Sequence, residues 1–457
     1  MNSLKLSLCV LFGFLLAVSV NVLADERPDI VFVMLDDSGY SDFGCYGSAV
    51  DTPNIDAFAK EGIRFTDCHA AAPNCSPSRA GMLTGRIPSR VGIYSYIPPK
   101  HPMHLLDEEV TVAEILKGEG YATGHFGKWH LSNLENPNQT GPNDQGFDHS
   151  LGTSNNAMPS HKNPVNFVRN GEAIGKVEGF SCQIVVDETI GWLDTVPEDQ
   201  RLFACVWFHE PHSKIASPEE LIAKYEARGM NKKAAIYHAN IENVDIAFGR
   251  LMEKLEQLKR KENTLVFLTS DNGGLNAFST QGLRGKKSFV YEGGQREAGI
   301  LRWPTKVKPG QTSDETISHL DLLPTVCDVT GATRPEGVKL DGTSWMPLLN
   351  GKPLKRPQPL FWFFYRVEPA AALRVGDYIL MGYLEKPEKK YSHGLSPVDM
   401  PWIKKAKLTS FELYNLSEDL AQENDLSASH PEKLEEMRKL MIERHADVVA
   451  DGPNWEW

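Results

Sequence analysis

The chain has 457 residues and a formal net charge of −12, from 60 acidic and 48 basic side chains. This length is too great for one ordinary domain, so we expect one large and one small domain. Hydrophobic residues make up 41% of the chain and can bury the core of a globular protein. The acidic balance argues against a nucleic-acid partner, and a polyanionic substrate would need a local basic pocket.

The N-terminus has the pattern of a targeting segment. Lys5 precedes an uncharged run over residues 6–24, and Val22-Leu23-Ala24 fits a small-residue cleavage site before Asp25. We expect residues 1–24 to be a signal peptide, so that the mature chain is exported to the periplasm or secreted, with no stable membrane partner. Because the run is near the lower length limit for a membrane span, an uncleaved anchor is the alternative.

The first predicted strand ends in two carboxylates. Residues 29–35 form a continuous apolar run, which predicts a strand buried on both faces of a parallel sheet. Asp36 and Asp37 follow it, at the strand end where open α/β sheets bind ligands. Two such carboxylates are costly to bury unless a cation or hydrogen-bond donors satisfy them. The alternative is a solvated strand end.

A turn around Pro73 and Pro77 then presents a nucleophile-type residue. Ser76-Pro77 suits the first turn of a helix, residues 80–83 continue it, and Gly85 would end it. Cys75 would therefore lie over free backbone N–H groups, which favour developing negative charge. Arg79, one turn on, can direct its guanidinium at the same oxyanion. An isolated Cys-x-Pro would instead be a buried structural cysteine.

The next segments place two basic residues after a strand. Thr111 and Glu114 form a predicted capping box that opens a short helix. In the strand-to-loop transition over residues 121–131, Lys128 and His130 are two positions apart and project to one side. Alone, such a pair would usually be a surface pair. Polarity then rises over residues 153–182, as in a surface insertion that could shape substrate choice.

Two further apolar runs, residues 202–208 and 264–269, predict buried strands, and an amphipathic helix is predicted between them over residues 232–259. Polar residues follow each strand: His209 and His212 after the first, Asp271 and Asn272 after the second. Either group alone could be a solvated loop or turn. The two histidines lack a third ligand at a recognisable spacing for zinc.

The last third of the chain contains a basic cluster and then a change of composition. Lys286 and Lys287 lie in this cluster, which alone would be a solvated face. Residues 351–359 are rich in proline, lysine and glycine and predict a linker. Beyond the linker we expect strands over residues 360–364 and 372–381, and a terminal helix over residues 431–448.

Several of these strings together resemble the type I sulfatases of the alkaline-phosphatase superfamily. The resemblance rests on the motifs Cys75-Ser76-Pro77-Ser78-Arg79 with Leu83-Thr84-Gly85-Arg86, Gly127-Lys128-Trp129-His130, His209-Glu210-Pro211-His212, Ser270-Asp271-Asn272-Gly273-Gly274, and Tyr291-Glu292-Gly293-Gly294. They occur in the family's order and span nearly the whole mature chain. The resemblance implies an α/β fold with a large mixed, mostly parallel sheet sandwiched by helices, which we place at residues 25–350. A smaller C-terminal α+β domain would occupy residues 351–457.

The resemblance also implies the chemistry. Cys75 would be converted to formylglycine, whose hydrate is the nucleophile, by a formylglycine-generating or anaerobic sulfatase-maturating enzyme. One calcium ion would be held by Asp36, Asp37, Asp271, Asn272 and residue 75; magnesium also takes oxygen ligands. The implied catalytic residues are Cys75, Arg79, Lys128, His130, His212 and Lys287. The implied substrate contacts are Lys128, His212, Lys287 and His209, and the sequence leaves open whether Lys286 replaces Lys287 and His209 replaces His212.

The expected activity is hydrolysis of sulfate monoesters, on sulfated carbohydrates in an exported enzyme. The sequence leaves the sugar, the linkage and exo or endo action open. The first alternative is a phosphodiesterase or phosphonate monoester hydrolase of the same superfamily, which can share the formylglycine signature. The second is an exported calcium-dependent glycan-binding protein without turnover, although every candidate catalytic residue is present.

Overall fold

The structure is a computed structural model that describes residues 26–387 and 394–457. The predicted signal peptide, residues 1–24, lies outside the described residues. None of the helices in the described part of the chain is both long enough and apolar enough to cross a membrane.

Within the described residues, eleven strands form one large sheet. In chain order these are β1 (Asp29–Asp36), β2 (Ile63–His69), β3 (Ala122–Lys128), β4 (His149–Thr153), β5 (Phe167–Arg169), β6 (Glu172–Gly175), β7 (Leu202–Pro211), β8 (Thr264–Ser270), β9 (Arg296–Arg302), β10 (Gln311–Ser313) and β11 (Ile317–Ser318). Across the sheet the order is β10-β2-β9-β8-β1-β7-β3-β4-β5-β6, with β11 also paired to β2. The central strands β8, β1, β7, β3 and β4 are parallel, whereas β9, β5 and β6 are antiparallel to their neighbours. The predicted large mixed, mostly parallel sheet is confirmed.

Helices cover both faces of this sheet. The helices of the described chain are α1 (Pro53–Lys60), α2 (Cys75–Thr84), α3 (Val112–Gly118), α4 (Ser181–Leu193), α5 (Glu219–Ala227), α6 (Lys232–Gln257), α7 (Ala277–Thr280), α8 (Glu292–Gln295), α9 (Leu322–Thr330), α10 (Met346–Leu349), α11 (Asp399–Ile403) and α12 (Pro431–Asp451). Successive residues of β1 alternate between two cores, one shared with α2, α3 and α9 and the other with α1, α4 and α6. Full burial of each such aliphatic side chain stabilises the fold by about 1.5–3 kcal/mol.

A second, antiparallel sheet follows towards the C-terminus. Its strands are β12 (Leu360–Phe364), β13 (Ala370–Val375), β14 (Tyr378–Leu384) and β15 (Leu408–Asn415), hydrogen-bonded in that order. The prediction of one strand over residues 372–381 is wrong, because the chain turns at Gly376 and Asp377 between β13 and β14. Gly376 takes a φ of +59°, a left-handed conformation that glycine adopts at little steric cost. Helix α12 packs on this sheet through Met437 and Met441.

The register of the large sheet brings several strand ends together. β1 is paired with β7 as far as Asp36 and Pro211, and with β8 as far as Leu35 and Ser270. β3 ends at Lys128 on the other side of β7. Because parallel strands have their carboxyl ends at one edge, the polar residues that follow these strands meet at a single edge of the sheet.

Candidate active site

Four oxygen-bearing side chains converge where β1 and β8 end, namely those of Asp36, Asp37, Asp271 and Asn272; we call these four the oxygen cluster. The backbone N–H of Asp37 donates to Asp271 Oδ1 at 3.1 Å, and Asn272 Nδ2 donates to Asp37 Oδ1 at 2.8 Å. Ligand atoms of Asp36, Asp271 and Cys75 lie within 4.8 Å of one another. The structure therefore brings together the five residues that the sequence assigned to a metal.

Several oxygens of this cluster are unsatisfied. Asp36 Oδ1, Asp37 Oδ2 and Asn272 Oδ1 are buried and have no hydrogen-bond partner among the described residues. Burial and the neighbouring Asp36 carboxylate raise the pKa of Asp271 to about 7. Buried oxygens without donors are costly, and crowded carboxylates repel one another. A cation that takes hard oxygen ligands would remove both penalties, so the cluster fits such an ion.

Cys75 is the first residue of α2, whose first turn contains Ser76 and Pro77 and which ends before Gly85, as expected. Its side chain is buried, and burial raises the pKa of its thiol despite the nearby lysines. Arg79 donates from Nε and Nη2 to Asp271 Oδ2 at 3.0 and 2.7 Å, and from Nη1 to the carbonyl of Lys128 at 2.8 Å. The guanidinium therefore joins the helix that carries Cys75 to the ends of β8 and β3.

Lys128 points into the oxygen cluster. Its Nζ donates to Asp36 Oδ2 at 2.6 Å and to Asn156 Oδ1 at 3.4 Å. Although burial disfavours the carboxylate, the Lys128 ammonium and its cationic neighbours hold the pKa of Asp36 well below its usual range. Lys128 therefore donates hydrogen bonds to a carboxylate and to an amide within one buried site.

His130 follows two residues later and has a positive φ of 55°. Its Nε2 lies 3.1 Å from the carbonyl oxygen of Ile97. Because a carbonyl can only accept, Nε2 must carry the proton. Burial and the charge of Lys128 lower the pKa of His130, so the ring is neutral. Its Nδ1 is buried without a hydrogen-bond partner in the described chain and can accept a proton.

The two histidines after β7 take different positions. His209 is fully buried, with Nε2 2.8 Å from Thr153 Oγ1. His212 keeps 19% of its side chain exposed and has Nε2 3.5 Å from Asp37 Oδ2. Burial lowers the pKa of His212, and the Asp37 carboxylate partly offsets this. His212 therefore faces the open side of the oxygen cluster, and His209 does not.

The two lysines of the basic cluster also differ. Lys287 Nζ donates to Asp37 Oδ1 at 2.5 Å, whereas Lys286 is exposed. Although burial disfavours the Lys287 ammonium, the Asp37 carboxylate raises its pKa, so the group is charged. The N–H of Ser288 donates to the carbonyl of Pro73 at 2.7 Å, which ties this loop to the turn before Cys75.

Two cavities open beside these groups. One, of about 390 Å³, is lined by Asp37 and by Lys233 and Tyr237 of α6, among others. The other, of about 280 Å³, is lined by residues that include Ile97 and Asn156. Sequence reasoning missed Ile97 and Asn156. The two consecutive asparagines at positions 155 and 156 were the one sequence signal for a polar site there, and they lie in the stretch over residues 153–182 that was interpreted only as a surface insertion.

A second group of acidic and imidazole side chains, Asp67, His69 and Glu292, is also close enough to hold an ion. Here the charges are already balanced by arginines. Arg296 donates to Glu292 Oε2 at 2.6 Å and lies 2.8 Å from Asp67 Oδ1, and Arg374 donates to both oxygens of Asp67. We therefore assign this group a structural role, in which it links β2, α8 and β13.

The fold and this site together define an alkaline-phosphatase-like hydrolase. Residues 28–332 match the protein family described as Sulfatase, and residues 285–447 match the C-terminal region of N-sulphoglucosamine sulphohydrolase. The chain belongs to the sulfatase family and is a sulfuric ester hydrolase, which confirms the resemblance seen in the sequence.

Individual relatives agree with this assignment. Human arylsulfatase A is 33% identical over an alignment of 484 residues, which covers 97% of this chain and 93% of that protein. Human N-acetylgalactosamine-6-sulfatase is 30% identical over 386 residues, covering 78% and 71%. The crystal structure of Ps i-CgsB in complex with k-i-k-neocarrahexaose superposes with a TM-score of 0.81, at 26% identity and 94% coverage of each chain.

Proposed function

We propose that the protein hydrolyses sulfate monoesters of carbohydrates, with a formylglycine made from Cys75 as the nucleophile and one calcium ion in the oxygen cluster. The observation that carries this proposal is the arrangement at one sheet edge. Cys75 lies beside oxygens that lack hydrogen-bond partners within the described residues, and Lys128 and Lys287 are paired with the same carboxylates. With a cation bound between the carboxylates, the ion and the two ammonium groups would attract a negatively charged sulfate group.

The state of Cys75 supports its modification. A buried thiol with a raised pKa is a weak nucleophile, because only the thiolate attacks well. A hydrated formylglycine at this position supplies one hydroxyl that attacks sulfur and a second whose deprotonation expels sulfate. The conversion makes a formylglycine-generating or anaerobic sulfatase-maturating enzyme a required partner. The N-terminus of α2 and Arg79 favour negative charge at this residue.

The oxygen cluster supports calcium as the ion. Asp36, Asp37, Asp271 and Asn272, with the oxygen of a modified residue 75, would hold it. Calcium takes about six to eight oxygen ligands, whereas zinc prefers nitrogen and sulfur ligands. Among the described residues that surround the cluster, the imidazole of His212 and the thiol of Cys75 are close enough to reach an ion, and the proposed modification would replace that thiol by oxygen. When bound, the ion supplies positive charge to the sulfate oxygens.

The positions of the remaining groups support roles in proton transfer and sulfate binding. Lys128 and Lys287 bring two ammonium groups to the Asp36 and Asp37 carboxylates, where they can also bind sulfate oxygens. His212 Nδ1 lies 2.8 Å from the carbonyl oxygen of Ser213 and therefore carries a proton, so Nε2 can protonate the departing alcohol from the cationic ring, which the Asp37 carboxylate favours. Such a step typically contributes about 10²–10⁴ in rate. The unprotonated Nδ1 of His130 can accept the proton whose removal releases sulfate.

Two further observations support a sulfated carbohydrate as substrate. The relatives include a human N-acetylgalactosamine-6-sulfatase, and Ps i-CgsB was crystallised with a neocarrahexaose. Residues 1–24 have the pattern of a signal peptide, so we propose export to the periplasm or the medium, where such glycans occur. The net charge of −12 gives no support to a nucleic-acid partner.

The test is release of sulfate by the mature enzyme produced together with its maturation enzyme. A panel of sulfated glycans and an aryl sulfate are compared with an aryl phosphonate and a phosphodiester. We expect sulfate esters to be turned over with the highest kcat/KM. A higher kcat/KM on the phosphonate or the diester would favour the alternative hydrolase, and calcium-dependent glycan binding without any sulfate release would indicate a binding protein.

The proposed calcium ion leads to a separate prediction. Exhaustive chelation should abolish sulfate release, because three crowded carboxylates would again repel one another and the sulfate. Added calcium should restore activity, and elemental analysis should give one calcium per chain. Stoichiometric zinc, or full activity after chelation, would contradict the assignment.

A further inference from the structure

The cavity of about 280 Å³ has six residues with amide or hydroxyl side chains in a wall whose accessible surface is mostly apolar. Its size is close to the lower end of the range of about 300–1,000 Å³ typical of ligand sites. The polar lining residues are Ser132, Asn133, Ser154, Asn155, Asn156 and Asn166. Pro98, Met158 and Val168 add apolar surface. We call this space the amide cavity.

The amide cavity adjoins the groups proposed to bind sulfate. Asn156 Oδ1, in its wall, accepts the hydrogen bond from Lys128 Nζ at 3.4 Å. Ile97 also lines the cavity; its carbonyl meets His130 Nε2 at 3.1 Å, and its N–H donates to Ser76 Oγ at 3.1 Å, next to Cys75. A molecule in the cavity would therefore lie one side chain away from a sulfate held by Lys128.

Part of the wall is fixed and part is free to bind. Asn166 is fixed, because its Nδ2 donates to the carbonyl of Asn156 at 2.9 Å and its Oδ1 accepts from the N–H of Met158 at 2.8 Å. By contrast, Asn155 Oδ1 is buried and has no hydrogen-bond partner among the described residues. A buried amide oxygen without a donor is costly, and Asn155 lines the cavity, so its amide group is suited to turn towards a ligand and accept a hydrogen bond.

The charge of the wall indicates which ligand fits. Among the described lining residues, Glu135 is the one charged group, and there is no cation to bind a second sulfate or a carboxylate. Amides both donate and accept, as the hydroxyls of a sugar do. Met158 and Val168 offer apolar surface to the C–H face of a sugar ring. The wall therefore matches a neutral ring that has both hydroxyl groups and an apolar face, as a sugar has.

We propose that the amide cavity is a subsite for a neutral sugar unit adjacent to the sulfated one, so that the smallest good substrate is a sulfated disaccharide. This inference rests on the proposed sulfatase function, and it specifies the size of the substrate and the absence of charge on the unit next to the sulfated sugar. It assigns Asn155 to substrate recognition outside the sulfate site.

The test compares Asn155→Ala with wild type on an aryl sulfate, on a panel of monosaccharide sulfates and on the matching sulfated disaccharides. We expect wild type to favour at least one disaccharide over its monosaccharide about tenfold in kcat/KM. Loss of one hydrogen bond to a buried group should reduce that preference about tenfold. Activity on the aryl sulfate should stay within twofold. Asn350→Ala, at an exposed asparagine, is the matched control.

A second variant protects the test against a folding artefact. Met158 is 43% exposed, so Met158→Ala should leave the fold intact while it removes apolar surface from the same cavity. It should lower kcat/KM on disaccharides several-fold and leave the aryl sulfate unchanged.

Two results would overturn the subsite. One is that Asn155→Ala lowers kcat/KM equally on the aryl sulfate and on the disaccharides. The other is a wild type for which monosaccharide and disaccharide sulfates are equivalent. If wild type cleaves the aryl sulfate under either result, the sulfatase function stands and only the subsite falls. A wild type that releases sulfate from no ester would overturn both proposals.

Discussion

Asp37 is the residue at which most interactions of the site meet. Its carboxylate accepts from Lys287 and Asn272 and faces His212, and its N–H donates to Asp271. It does this with a φ of +68°, a left-handed conformation that aspartate adopts more readily than most side chains. Such conformations cost about 1–3 kcal/mol and persist where the surrounding structure requires them.

The two neighbouring lysines give a prediction at this scale. Lys287→Met should lower kcat/KM for sulfate esters about 10–100-fold, because a charged hydrogen bond contributes about 1.5–3 kcal/mol. Lys286→Met, at the exposed neighbour, should stay within twofold of wild type. Steady-state kinetics on an aryl sulfate measures both variants. A larger effect at Lys286, or equal effects at both, would contradict the role given to Lys287.

Single residues also show what the sequence could and could not predict. Through their resemblance to the family, the motifs implied that Cys75, Arg79 and Lys128 share one site. They could not choose between His209 and His212, since that choice depends on the direction of the chain after β7. The contact of the Ile97 carbonyl with His130 could not be predicted, because every residue has a backbone carbonyl and the residue type gives no signal for its role.

At the scale of elements, the end of β3 is tightly constrained. Gly127 takes a φ of +106°, and a Cβ at this position would lie 1.8 Å from the carbonyl oxygen of Trp207 in β7. β3 can therefore lie this close to β7 only with glycine here. The close approach places Lys128, the next residue, beside Asp36.

Gly127→Ala should therefore destabilise the protein by about 3 kcal/mol, from the clash with β7 and the strained φ together. It should also lower sulfatase activity by displacing Lys128. The matched control is Gly191→Ala, inside α4, where nothing lies within 4 Å of the added Cβ. That change should stabilise the helix by about 0.5–1 kcal/mol. Urea unfolding measures both, and an unaltered midpoint for Gly127→Ala would contradict the packing argument.

Elements with strong periodicity were predictable. The run over residues 264–269 and the capping box at Thr111 and Glu114 both occur as expected, because continuous burial and helix capping leave local signals. The β13–β14 hairpin was missed. Both strands are apolar, so the two-residue turn at Gly376 and Asp377 was the only sign of a break.

At the scale of the whole molecule, the small sheet contacts both the large sheet and the loop that carries Lys287. Arg374 of β13 donates to Asp67 of β2, and Arg284, close to Lys287 in sequence, donates to the hydroxyl of Tyr414 in β15 at 2.7 Å. The division at residues 350 and 351 stays a prediction. Composition could suggest a linker there, but these contacts join residues far apart in the chain and leave no local pattern.

The packing of α12 on the small sheet makes stability depend on pH. His445 is buried against Phe363, with ring centroids 5.0 Å apart, and burial lowers the pKa of His445 to about 4. Between about pH 6.5 and 4 the unfolded chain binds a proton at this residue and the folded chain does not, so stability falls as the pH falls. The contribution is about 2 kcal/mol between pH 7 and 5.

Urea unfolding at both pH values tests this. In His445→Leu the loss of stability on acidification should be smaller than in wild type by about 2 kcal/mol. Leu440, which does not titrate and is exposed on the same helix, provides the control, since Leu440→Ala should leave the loss unchanged. Equal losses in the two variants would contradict the assignment to His445.

The central claim, that Cys75 is the precursor of the nucleophile, is tested most directly by the mass of one peptide. Trypsin should release residues 65–79, which contain both Cys68 and Cys75. In the active enzyme we predict that this peptide has an aldehyde in place of the Cys75 thiol, while Cys68 is still alkylated. The fraction of peptide that carries the aldehyde should rise with the specific activity of the preparation. Fully active enzyme whose peptide carries two alkylated cysteines would contradict the account.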